Sequence, residues 1–158
     1  GFLVMENYVN FISLIKELIE LFDALIAVEQ KKLDSVVNNN ISVVEECMKK
    51  EQAFVLRLRG LEQQRESIQT AMGMQGMAFR EILTKVPQEI LDELAPLFQE
   101  LSEKVRAFQS VNDNAKDAIQ VNLYQIQSVL DPSFDGSRFY SASRAKAPEE
   151  THFTNRFV

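Results

Sequence analysis

The chain has 158 residues, 46% of them hydrophobic and 25% charged, which suits one domain or one domain plus a tail. Its net charge of −6 shows no clustered excess of Lys and Arg, so nucleic acid and anionic membrane are poor candidate partners. One cysteine, Cys47, rules out an intrachain disulfide, and five glycines with four prolines leave few turns between helices.

A first long helix is expected over about residues 6–37. Tyr8, Ile12, Ile15, Ile19, Phe22, Ile26, Leu33 and Val36 recur at alternating steps of four and three, missing only at Glu29. A second apolar row, Phe11, Leu14, Leu18, Leu21, Leu25 and Val28, lies beside the first. Together they exceed the stripe that one packing seam needs. Two readings follow: the helix is central in a bundle, or part of this face meets another chain. Lys16, Glu17, Glu20 and Asp23 interrupt it, which argues against a membrane span, and no basic segment before it suggests a signal peptide.

Asn38, Asn39 and Asn40 break the pattern, as residues that tolerate left-handed geometry and cap helix starts. Ser42 followed by Glu45 is an alternative capping box. The second helix is expected over about residues 41–72. Its seam is Val44, Met48, Glu51, Val55, Leu58, Arg65, Ile68 and Met72, with Cys47, Phe54 and Leu61 alongside. Its polar end, Glu62 to Glu66, is expected to protrude. Gly73 and Gly76 stop it, and short helical segments fill about residues 78–95, a first from Ala78 to Lys85 and a second opened by Pro87. Pro96 is expected to kink or restart the chain, because proline loses a donor and clashes with the preceding turn.

The last long helix is expected over about residues 96–130. Phe98, Leu101, Val105, Phe108, Asn112, Ala115, Ile119, Asn122, Ile126 and Val129 alternate three and four apart without a slip, as in a coiled-coil seam. Asn112 and Asn122 sit on that seam, where a buried amide either sets register within the bundle or meets a helix of another protein. Residues 131–158 carry Pro132, Gly136 and Pro148 and read as a non-helical tail. Phe134, Phe139, Tyr140, Phe153 and Phe157 make it richer in aromatics than a disordered segment would be, so something packs on it. The fold class expected is all-α: an antiparallel bundle of three long helices and one or two short ones, followed by that tail.

The residue inventory offers little chemistry. A di-metal carboxylate site needs Glu-x-x-His pairs, and the single histidine, His152, lies in the tail. Zinc binding fails on the same count of one Cys and one His, and nothing in the sequence brings Cys47 to His152 as a nucleophile and base. Gly73 and Gly76 lack the Lys-Ser/Thr of a phosphate-binding loop. Glu45 and Glu46 are read as solvated neighbours. No catalytic residue, metal or cofactor is assigned.

Several residues in order resemble the FlgN family of flagellar export chaperones. They are Leu25 to Glu29 followed by Leu33 and Asp34; Lys50 and Glu51 in the second helix; Leu61-Glu62-Gln63-Gln64-Arg65 near its end; and Asn112, Asn114 and Asn122 in the last helix. The resemblance covers roughly residues 8–130, and its turn departs from the family's usual Gly-Asp-like sequence. It implies a non-enzymatic cytoplasmic protein that holds the terminal amphipathic helices of hook–filament junction proteins before type III export. Export apparatus components are further candidate partners, and a homodimer is compatible with it. By position it implies that Ala115, Ile119, Asn122, Leu123, Ile126, Val129 and Leu130 contact the client, with Phe134, Phe139 and Tyr140 as candidate tail contacts. The competing reading is a self-associating coiled-coil scaffold that buries its helix 1 face between copies.

Overall fold

The computed structural model describes residues 2–112, which form four helices: α1 (Phe2–Val37), α2 (Ile41–Ala71), α3 (Phe79–Leu83) and α4 (Gln88–Val111). No strand occurs among the described residues. α1 starts at Phe2, about one turn earlier than its seam predicts.

α1 and α2 form an antiparallel hairpin, and α4 lies along α1 in the parallel sense. α1 is therefore the middle helix of the three, with one neighbour on each side. That position is the physical reason for its double apolar row. Phe11, Ile15, Leu18, Phe22 and Leu25 are fully buried, and Leu14 and Leu21 nearly so. Each such side chain removed from water contributes about 1.5–3 kcal/mol before its entropy cost. α2 packs chiefly on α1 and needs a narrower stripe, made by Cys47, Glu51, Val55, Leu58, Leu61, Glu62, Arg65 and Gln69.

Both ends of the hairpin close in the same way. At the α1–α2 turn Asn39 takes φ 58°, while the Asn40 N–H donates to the Ser35 carbonyl at 2.8 Å and the Asn39 N–H to Val36 at 3.1 Å. At the end of α2 Gly73 takes φ 74°, with Met74 N–H to the Gln69 carbonyl at 2.8 Å and Gly73 N–H to Thr70 at 3.0 Å. A left-handed residue that lets two N–H groups fold back satisfies carbonyls a helix end would otherwise leave open. The start of α2 is capped by Asn40, whose side chain accepts from the Val43 N–H at 3.4 Å and from the Ser42 hydroxyl at 3.2 Å. The Ser42–Glu45 box is thus replaced by an asparagine cap two residues earlier.

Pro96 neither ends nor restarts a helix, since α4 runs through it from Gln88 to Val111. Its ring removes the N–H that would bond the Asp92 carbonyl, a cost of ~3 kcal/mol in an ordinary interior. Ile90 and Leu94 before it and Phe98 and Leu101 after it are all buried on the same seam, which holds both halves against α1. α3 delivers Phe79 to this core. Phe79 stacks on Phe98 with ring centroids 4.2 Å apart, and Phe11 meets both edge-on at 6.1 and 6.0 Å.

Candidate binding surfaces and buried polar anchors

The polar end of α2 does not protrude, contrary to the sequence expectation. Glu62, Arg65 and Gln69 fall at steps of three and four on the buried stripe, and all three are enclosed. The Arg65 guanidinium donates to Glu62 through Nε at 3.0 and 3.2 Å and through Nη2 at 2.9 Å, and through Nη1 to the side-chain Oε1 of Gln69. The Gln69 amide then donates to the Met74 carbonyl at 3.1 Å and to Met77 at 3.2 Å. This chain of bonds fastens the Gly73–Gly76 connection to α2 and fixes where α3 and Phe79 enter the core. Burial pushes the Glu62 carboxyl above its ordinary value, and the Arg65 charge and hydrogen bonds oppose that shift.

A second polar group joins α1 to α2. Lys32 reaches Glu51 Oε2 at 2.8 Å and Glu29 Oε2 at 3.3 Å. Glu29 is only 1% exposed, and its Oε1 has no hydrogen-bond partner among the described residues. Burial raises the Glu29 carboxyl, and Lys32 pulls it partly back. On the surface, Lys104 meets Asp23 at 2.8 Å, and that hydrogen bond raises the lysine. Weaker pairs join Lys16 to Glu93 at 4.0 Å and Arg57 to Glu17 at 3.9 Å.

Large apolar side chains remain exposed at the two ends of the hairpin. Leu3, Val4, Met5 and Val9 project from the first turns of α1. Leu33, Val36 and Val37 at its other end, with Ile41 and Met48 of α2, surround the turn. Leu33, Val36 and Met48, expected on packing seams, are thus exposed among the described residues. Asn112 is buried at the C-terminal cap of α4, as its seam position predicts. The other expected client contacts, Ala115, Ile119, Asn122, Leu123, Ile126, Val129 and Leu130, lie outside the described residues. So do Phe134, Phe139, Tyr140 and His152. Cys47 is buried in the α1–α2 hairpin, Glu45 and Glu46 are exposed, and no group of three metal-ligating side chains occurs among the described residues. None of the described helices is long and apolar enough to cross a membrane.

A helical hairpin with a third helix laid along one member is an architecture for holding helices side by side. The chain belongs to the FlgN protein family, whose model matches residues 5–145. That is a family of flagellar export chaperones, and the match runs 15 residues past the point where the motif resemblance stops. No curated protein and no solved structure matched the chain. Four of the motif residues behind the resemblance are buried polar anchors: Glu29 and Glu51 share Lys32, and Glu62 holds Arg65. Sequence reasoning missed Gln69 and Lys32. Gln69 was detectable, since it falls on the same buried stripe as Glu62 and Arg65.

Proposed function

We propose that this protein binds the terminal amphipathic helices of hook–filament junction proteins in the cytoplasm and keeps them unassembled until type III export. The family match over residues 5–145 carries this reading. The client contacts are the seam residues Ala115, Ile119, Asn122, Leu123, Ile126, Val129 and Leu130. An amphipathic client helix laid on that row would bury its apolar face by helix-in-groove packing, with Asn122 supplying a hydrogen bond that sets register. Phe134, Phe139 and Tyr140 follow the row directly and cover its second half when no client is bound.

The scaffold alternative needs the wide face of α1 for contacts between copies. From Tyr8 to Leu25 that face is buried inside the monomer, on α2 and α4 together, which supports the chaperone reading over it. The test is co-purification with hook-associated proteins carrying or lacking their C-terminal helix. Binding should require that helix and should weaken on Ile119→Asp or Ile126→Asp while helix content is unchanged. No binding to any such protein, together with a stable homo-oligomer, would establish the scaffold instead.

A further inference from the structure

We propose that the apolar end of the α1–α2 hairpin is the seat of the chain's own residues 113–125. The argument starts from register. Phe98 lies against Phe11 and Phe108 against Phe22, so α4 runs level with α1 at an offset of 87 residues at one pair and 86 at the other. Asn112, where the described part of α4 is capped, is therefore level with Leu25 and Ile26. Residues 27–37 of α1 extend beyond it, ~16 Å of helix at ~1.5 Å per residue.

The α4-facing stripe of α1 continues across that stretch. Eleven residues are close to three helical turns, so Phe11, Phe22 and Leu33 share one face within ~20° per step. The first two each meet a phenylalanine of α4, whereas Leu33 is 38% exposed. Val36, 57% exposed, and Val37, 83% exposed, lie beside it. At the same offset Ile119 falls level with Lys32 and Leu33, and Leu123 with Val36 and Val37. The seam arrives in phase: Val105, Phe108, Asn112, Ala115 and Ile119 follow one another at three- and four-residue steps. Lys116 falls level with Glu29, whose buried Oε1 has no donor among the described residues.

The same register limits the seat. Ile126, Val129 and Leu130 fall beyond Val37 and pass the hairpin turn, so the hairpin holds the first half of the seam and leaves the second half free of it. A second copy of the chain would have to displace a segment already tethered at Asn112, whose effective concentration is on the order of millimolar. Where the proposed client reading holds, a client helix engages Ile126 to Leu130 first and must then exchange with Leu33 and Val36 for Ile119 and Leu123.

The test needs no client and so stands apart from that reading. In the full chain with Cys47→Ala, Leu33→Cys paired with Ile119→Cys should close an intramolecular disulfide on mild oxidation. The pair Leu33→Cys and Ile126→Cys should close poorly. Separately, Ile119→Asp should speed thiol labelling of Leu33→Cys several-fold, while Ile126→Asp should not. Leu33 is exposed, so its replacement leaves the core intact. Disulfides formed only between chains would assign the seat to a second copy and overturn the proposal. Equal closure of the two pairs, or labelling unmoved by Ile119→Asp, would overturn it as well.

Discussion

Arg65 and Glu29 are the residues whose surroundings decide the most. Arg65 is enclosed with Glu62 and Gln69, and it fixes the loop that leads to α3. Arg65→Ala would leave the Glu62 carboxylate buried without its partner. A loss of about 3–5 kcal/mol in urea unfolding is expected. The double replacement Glu62→Leu with Arg65→Met should recover most of it, because no buried charge remains. Glu29 tests the pH side. Its carboxyl is held above the ordinary value by burial, so the folded chain binds that proton more tightly than the unfolded one. Its contribution is therefore present below the unfolded value of 4.5 and is lost as pH rises through the higher folded value. Glu29→Gln should flatten the stability–pH slope in that window, by at most about 1.4 kcal/mol per pH unit for one proton. At neutral pH the variant should be at least as stable as the parent, since Lys32 keeps Glu51. A steeper slope in the variant would contradict this assignment.

Within elements, two glycines of the α2 region make opposite predictions. Gly60 sits inside α2, and a methyl group added there meets nothing within 4 Å. Gly60→Ala should therefore stabilise the protein by about 0.5–1 kcal/mol, read as a higher thermal midpoint. Gly73 also has open space around it, yet its φ of 74° is a conformation other residues reach at a cost. Gly73→Ala should destabilise by ~1 kcal/mol despite the absence of any clash. Pro96 shows how an element can override its own chemistry. The local rule ends a helix there, but four buried side chains on both sides of it outweigh one lost hydrogen bond.

On the scale of the molecule, α1 runs on past Asn112, the last described residue of α4, to the hairpin turn. The family match extends to residue 145, past the seam and across Phe134, Phe139 and Tyr140. Deleting residues 146–158 should thus leave client affinity unchanged. Deleting residues 131–158 should tighten it several-fold, because the cover proposed for Phe134, Phe139 and Tyr140 would lower the fraction of chains able to bind. Titration of both truncated chains against one junction protein measures this. Unchanged affinity in the second would remove the tail from the mechanism.

Apolar periodicity determined the helical class, the α1–α2 turn at three asparagines and the placement of Asn112 on a buried seam, because each rests on steps of three and four along one segment. The width of the α1 stripe left its cause open. Only the tertiary structure decided it, by giving α1 two neighbours. The polar run from Glu62 to Glu66 reads as surface because composition carries no information about pairing. Arg65 is buried because Glu62 and Gln69 lie within reach on the same helix face and the Gly73–Gly76 loop folds back onto them. Pro96 does not restart the helix, for the related reason that a local penalty of a few kcal/mol is outweighed by burial visible only when α4 is set against α1.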